Sequence, residues 1–287
     1  MPDAPNFLDL PPVLSDPERA RAAVLCLPYE ATTSYGKGTR QGPESIVRAS
    51  TQVELYDEEL EVEPCEIGIA TVRPFEAGFP EVGEPAVRRI AEACQSLLQA
   101  GKFVAALGGE HTVSVGLVQA HRAAFADLWV LQLDAHSDLR QEYQGTRWSH
   151  ACTMARIGER CPFVGIGLRS GIRGERSDLA PPSRIFYAHE MRRDPDWPER
   201  VLDALGEHVY LTLDLDFFDP AIMPAVGTPE PGGFWWNETL AFLRTLCTRK
   251  TVVGFDVVEL APISGLVAPD FLAARLVYKL LGYRFWG

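Results

Sequence analysis

The segment DAHSD sets Asp134, His136 and Asp138 at alternate positions, and DLDFFDP does the same with Asp214 and Asp216. Alternate residues of an extended chain share one side. Each group follows a nearly uninterrupted apolar run, 128–133 in the first case and 209–213 in the second. Charge delivered by a buried strand is costly unless something neutralises it. A third apolar run, 103–107, ends in GGEH, where two glycines allow a sharp turn that presents Glu110 and His111. These segments nominate His111, Asp134, His136, Asp138, Asp214 and Asp216 as one set. Four clustered carboxylates resist joint ionisation unless cations sit among them, and two divalent ions balance four negative charges. Carboxylates with some imidazole suit hard or borderline ions such as Mn²⁺, whereas structural zinc favours thiolate and imidazole. Two ions about 3.5–4 Å apart can lower the pKa of a shared water and aim it at an electrophilic carbon. For any single acid a helix cap or loop salt bridge would suffice as explanation. Three apolar runs that all end this way favour the metal centre.

The elements that must position these groups follow from periodicity. Short β-rich runs at 22–28, 103–109, 128–136, 163–169, 184–188, 209–216 and 252–259 alternate with helical patterns at 43–50, 84–100, 112–121, 152–158, 198–205, 238–248 and 270–282. That alternation predicts a parallel sheet covered by helices on both faces. In the segment 84–100, Val87, Ile90, Ala91, Cys94, Leu97 and Leu98 recur at three- and four-residue spacing before Gly101 ends the helix. Reacting groups in such sheets gather at the carboxyl ends of the strands, where the unusual polar residues of this chain lie.

A chain of 287 residues, 46% hydrophobic, with neither a repeat nor a Pro/Ser-rich linker, predicts one domain over 1–287, the first twenty or so residues forming an extended arm. The N-terminal MPDAPNFLDLPPVLSDPERARA has no basic start or apolar core of a leader, and no run approaches the length of a membrane span. Cys26, Cys65, Cys94, Cys152, Cys161 and Cys247 show no CxxC pair or compact framework, which predicts thiols in a reducing, cytoplasmic setting. A net charge of −12 disfavours nucleic acid and anionic membranes as partners and favours approach of a cationic substrate.

GGEH, DAHSD, SHACTMARI, DLDFFDP with the following GTPEPGG, and GFDVVELAP, in this order, together with the upstream GTRQGPESIVRAS, resemble the ureohydrolases: arginases, agmatinases and their relatives. The resemblance runs from Tyr35 to the C-terminus. It implies a three-layer α/β/α fold with a single eight-stranded parallel sheet and two Mn²⁺ ions per subunit. The six residues above match the family's metal ligands, with Asp138 beside the bridging hydroxide. It also implies that His150, in WSHACTMARI, shuttles protons, a role that spacing alone would not assign to a histidine at the start of a helix. Glu259, in DVVELAP, takes the place of the family's guanidinium-binding glutamate, and a carboxylate is the natural partner of that planar cation. Asp256, three residues earlier, reads as a structural or supporting acid.

Arginases carry an asparagine where this chain has Arg140, and GTPEPGG looks more like agmatinases, so the resemblance implies a guanidino-amine substrate, agmatine first. Aminopropylagmatine, a guanidino acid or arginine are the alternatives, and Arg140 would face the carboxylate of an acid or repel the tail of a diamine. A deacetylase on a related sheet would need one zinc and fewer ligands, and a non-enzymatic relative would have lost a ligand. All six residues are present. Trimers or hexamers are the family habit. The polar segment 169–178 reads as a solvated loop.

Overall fold

The runs AAVLCL, FVAALG and FVGIGL are buried at every position, with no polar alternate face. Strands of that kind are covered on both sides. In the computed structural model, which describes residues 5–75, 78–79, 81–176 and 179–287, they are three of eight strands in one sheet. The strands are β1 (Ala22–Leu27), β2 (Ile69–Val72), β3 (Phe103–Gly108), β4 (Trp129–Leu133), β5 (Phe163–Leu168), β6 (Arg184–Tyr187), β7 (His208–Asp214) and β8 (Thr251–Val258). Their order is β2-β1-β3-β8-β7-β4-β5-β6, and every neighbouring pair is parallel.

The helices are α1 (Pro12–Ser15), α2 (Gly42–Ser50), α3 (Glu84–Gln99), α4 (Val113–Ala124), α5 (Thr153–Gly158), α6 (Ala188–Met191), α7 (Trp197–Ala204), α8 (Trp236–Arg249) and α9 (Ala268–Trp286). Two apolar cores separate them into layers. One core joins Val87 and Ile90 of α3, Val118 of α4 and Ile157 of α5 to one face of the sheet. The other joins Ile46 of α2, Leu202 of α7, Leu243 of α8 and Leu276 of α9 to the opposite face. The three-layer α/β/α architecture with eight parallel strands is therefore the one present.

Two segments depart from the sequence reading. Strand β2 was not among the seven runs, because four residues, of which only Ile69 and Ala70 are buried, carry too little pattern to separate from a loop. The N-terminal segment is not an extended arm from Phe7 onward. Phe7, Leu8 and Leu10 are buried in the core, and Leu8 N–H donates to Ser50 Oγ at the end of α2 (2.7 Å). Three apolar side chains removed from water outweigh the freedom that Pro-rich, polar surroundings suggested.

Candidate active site

The four central strands, β3-β8-β7-β4, all open at the same edge, and each delivers polar residues there. Beyond β3, Gly109 presses on the end of β1: a Cβ there would stand 2.1 Å from Tyr29 O. Gly108 and Gly109 are absent from the positive-φ residues, so their purpose is close approach rather than the sharp turn expected. Tyr29 O accepts Glu110 N–H (2.8 Å), and His111 is set at the head of the β3 exit. Asp134, His136 and Asp138 follow β4, Asp214 ends β7, Asp216 lies in the next turn, and Glu259 follows β8.

His111 is fully enclosed. Its Nδ1 lies 3.0 Å from Asp138 Oδ2, 3.2 Å from Asp134 Oδ2 and 3.5 Å from Asp214 Oδ2, yet has no hydrogen-bond partner. The other nitrogen, Nε2, is 2.9 Å from Thr212 Oγ1. That hydroxyl donates to Asp256 Oδ1 (2.7 Å), and Tyr210 OH donates to Asp256 Oδ2 (2.8 Å). A hydroxyl has one proton to give, so Nε2 is the donor to Thr212, and Nδ1 of the neutral ring turns its lone pair to three carboxylates. Burial disfavours charge there, yet Asp134 and Asp138 outweigh it and raise the ring well above its ordinary pKa, so the position calls for a proton or another cation. A buried nitrogen lone pair amid acidic oxygens fits a cation, and a second ring nitrogen fixed by hydrogen bonding is what orients a ligating histidine. Asp256 thus acts on the site through Thr212.

A second group shares Asp134: ligand atoms of Asp134, His136 and Asp216 lie within 4.8 Å of one another, as do those of His111, Asp134 and Asp138. Main-chain donors lock the acids, with His136 N–H on Asp134 Oδ1 (2.6 Å), Ala135 N–H on Asp216 Oδ1 (2.9 Å) and Asp216 N–H on Asp214 Oδ1 (2.9 Å). Burial, with the charges of Asp216 and Asp138, raises the Asp134 carboxyl to about 7. Burial and the neighbouring acids push Asp214 well above the usual carboxylate range. Burial acts on Asp216 in the same sense, but His136 beside it, with Nδ1 2.7 Å from Oδ2, holds it low. The four acids carry full charge together only when positive charge is placed among them, and the donor set of carboxylates and imidazole fits two divalent ions.

Glu259 sits beside this cluster. Its Oε1 accepts His111 N–H (2.7 Å), and its own N–H bonds Gly109 O (2.8 Å). Burial, then Glu110, raises its carboxyl well above the ordinary range, a state that a cationic partner would relieve. His150 is half-buried, with Tyr143 edge-on to its ring at 5.9 Å. Arg140 is exposed and sets its guanidinium 5.3 Å from the centre of the Tyr143 ring. A cavity of about 200 Å³ is lined by His111, His136, Asp138, Arg140, His150, Asp214, Asp216 and Glu259, with Tyr35, Gly36 and Gly227 at its walls. Asp134 lies buried behind it. The candidate ligands, with Arg140, His150 and Glu259, are brought together here, while Asp256 reaches them only through Thr212.

Several supporting residues escaped the sequence reading. Gln132, inside β4, donates to Asp134 Oδ2 (2.8 Å) and His136 O (3.0 Å). Gln132 and Thr212 each stand two positions before a cluster acid, and a lone polar residue on the same side of an apolar strand was the signal available. Arg169, which opens the segment read as a solvated loop, is instead engaged: it donates to Asp216 O (2.6 Å) and Glu230 O (2.9 Å), tying the end of β7 to GTPEPGG. Glu175 of the same segment is buried and accepts from Ser137 Oγ (2.6 Å). Residues 177 and 178 of that segment lie outside the described residues.

The profile of the arginase family matches residues 20–282. An N(1)-aminopropylagmatine ureohydrolase of Synechocystis sp. is 43% identical over 93% of this chain and 90% of its own length. A protein of the same name from Thermus thermophilus is 41% identical over 93% and 91%. Among solved structures, the agmatine ureohydrolase of Thermoplasma volcanium superposes with a TM-score of 0.83 at 30% identity, covering 94% of this chain and 92% of that one.

Proposed function

This chain belongs to the arginase family, and from that premise we propose that it hydrolyses a linear guanidino-amine, agmatine or its N(1)-aminopropyl derivative, to urea and the free amine at a pair of Mn²⁺ ions. The observation that carries the reading is the partnerless Nδ1 of His111 facing Asp134, Asp138 and Asp214 at the mouth of four strands. His111, Asp134 and Asp138 would hold one ion and Asp134, His136 and Asp216 the other, with Asp214, whose Oδ2 lies 3.5 Å from His111 Nδ1, as a further ligand beside them. The ions supply the Lewis acidity that makes water nucleophilic near neutral pH.

The chain's own side chains do the rest. Glu259 takes the guanidinium, whose planar N–H groups pair with a carboxylate, and holds its carbon toward the acids. As a C–O bond forms to that carbon, the C–N bond to the amine breaks and its electron pair goes to nitrogen. His150 delivers a proton to that nitrogen and regains one from water, and the second water proton, released as the urea carbonyl forms, completes the ammonium, so the balance is guanidinium plus water to urea plus ammonium. Arg140 lines the pocket with its guanidinium over the Tyr143 ring, an arrangement that fixes the position of its charge without neutralising it, so a cationic tail would have to run clear of this side. The similarity to aminopropylagmatine hydrolases supports a substrate with a longer tail than agmatine. We propose further that the chain works as a homo-oligomer in the cytoplasm. No disulfide links the six cysteines, and among the described residues no helix is long and apolar enough to cross a membrane.

Urea release by the Mn²⁺-loaded protein across agmatine, N(1)-aminopropylagmatine, arginine, guanidinobutyrate and guanidinopropionate tests this. A guanidino-amine is expected to exceed both acids and arginine in kcat/KM by at least about tenfold, roughly 1.4 kcal/mol. Preference for an acid would make Arg140 a carboxylate receptor and overturn the amine assignment.

A further inference from the structure

His150 enters the proposed reaction as a proton carrier, and its usefulness depends on which ring nitrogen is bare. Thr32, in the loop that follows β1, touches it twice: His150 N–H donates to Thr32 Oγ1 at 3.1 Å, and Thr32 Oγ1 lies 3.1 Å from His150 Nδ1. The same hydroxyl donates to Glu110 Oε1 at 2.8 Å. Glu110 is wholly buried, and its carboxyl is met on all sides by donors: Ala31 N–H (2.7 Å) and Thr32 N–H (2.6 Å) on Oε2, Thr112 Oγ1 (2.8 Å) on Oε1. Amide groups can only donate, so Glu110 is held as an acceptor. The single proton of Thr32 is committed to Glu110, one lone pair of its oxygen accepts His150 N–H, and the other can only accept again. Nδ1 must therefore carry hydrogen, which leaves Nε2 as the bare nitrogen of the neutral ring. Nε2 has no hydrogen-bond partner among the described residues, and His150 lines the cavity.

We propose that Thr32, clamped by Glu110, is a positioning residue that fixes the Nδ1–H tautomer of His150, so that Nε2 exchanges protons with the substrate. The assignment of tautomer stands on hydrogen-bond directions alone, while its catalytic meaning rests on the shuttle role given to His150 above. Ser149 Oγ is the other neighbour of Nδ1, at 3.4 Å. A serine proton turned that way would favour the opposite tautomer, but that contact is the longer, and Ser149 Oγ already accepts Ala151 N–H at 3.4 Å.

The test uses the full chain labelled with ¹⁵N-histidine, without metal so that no paramagnetic ion broadens the spectrum, and assigns His150 by its loss in His150→Asn. In wild type and in Ser149→Ala, the expected spectrum at high pH shows a protonated Nδ1 and a bare Nε2. In Thr32→Val this preference is lost, and Thr32→Ser restores it. Urea release from the Mn²⁺-loaded variants adds a second readout: Thr32→Val lowers kcat about 10- to 100-fold with KM within about twofold, and Thr32→Ser recovers most of it. A bare Nδ1 in wild type, or an unchanged tautomer in Thr32→Val, overturns the proposal. If the tautomer behaves as expected but His150→Asn keeps full turnover, the shuttle role fails and the positioning geometry stands. Should Thr32→Val not fold, Glu110→Gln, which keeps an acceptor oxygen, supplies the same spectroscopic comparison and is expected to loosen the preference.

Discussion

Asp138 and Glu259 hold φ values of 52° and 68°, in the left-handed region that β-carbon contacts make unfavourable. Such a residue costs of order 1–3 kcal/mol and persists where its surroundings over-determine it. For Glu259 the determinants are on both sides: its N–H is held by Gly109 O, and its Oε1 by His111 N–H. The backbone kink at the end of β8 thus serves to turn the carboxylate back over the β3 exit. Because the carboxylate charge rather than the side-chain shape recognises a guanidinium, Glu259→Gln is expected to raise KM at least about tenfold, about 1.4 kcal/mol, at unchanged metal content. Asp138→Asn is expected to do the reverse of this pattern first: metal affinity falls by about a hundredfold or more, and turnover goes with it. Metal analysis beside steady-state kinetics on both variants separates the two roles. Wild-type metal content and turnover in Asp138→Asn would remove this residue from the centre.

At the scale of elements, α9 is buried along most of its length, and one of its sides is covered by the segment between α2 and β2 rather than by another helix. Tyr278 OH donates to Leu55 O (2.6 Å), and Lys279 Nζ reaches Asp57 Oδ1 (2.8 Å) and Glu59 Oε2 (2.9 Å). Glu59 also accepts Tyr283 OH (2.7 Å) and pairs with Arg244 of α8 (2.8 Å). Burial on its own would raise the Glu59 carboxyl, but the Tyr283, Lys279 and Arg244 donors outweigh it and hold the pKa down at about 2, against an ordinary value of 4.5. A depressed folded pKa contributes stability that is present above the unfolded value and lost as pH falls through the folded one. Thermal stability is therefore expected to drop as pH falls from about 4.5 toward 2, and Glu59→Gln to flatten that part of the profile; a mutant that follows the wild-type slope would remove Glu59 as its source. None of this staple was legible in the sequence, since the charges of 51–63 resemble any solvated loop. Seven of the eight strands, and the acids and imidazoles that gather at their ends, were legible, because an uninterrupted apolar run followed by alternating acids is unusual under any reading. What the sequence could not reveal is partnership across distance. Thr32 and His150 are 118 positions apart, and nothing local marks either as the other's support.

For the whole molecule, a groove of about 1000 Å³, larger than the cavity at the strand ends, lies between α2, α8 and the start of α9, bordered by Ala49, Trp236, Leu240, Val267, Phe271 and Leu272. Val267 is 75% and Phe271 41% exposed, side chains of a kind that a self-associating chain places at its contacts. If the proposed homo-oligomer forms through this face, Phe271→Glu is expected to reduce the mass measured by light scattering while each chain keeps its urea release. An unchanged mass would move the contact elsewhere. The strand order carries a different consequence. Strand β8, the last strand in the sequence, stands between β2-β1-β3 and β7-β4-β5-β6 in the sheet. His111 follows β3 on one side of it, and the remaining candidate ligands follow β4 and β7 on the other. Strand β8 is thus the keystone of the sheet's arch: all candidate ligands precede residue 251, yet the ladder that sets them at one edge closes only with the strand that comes after them.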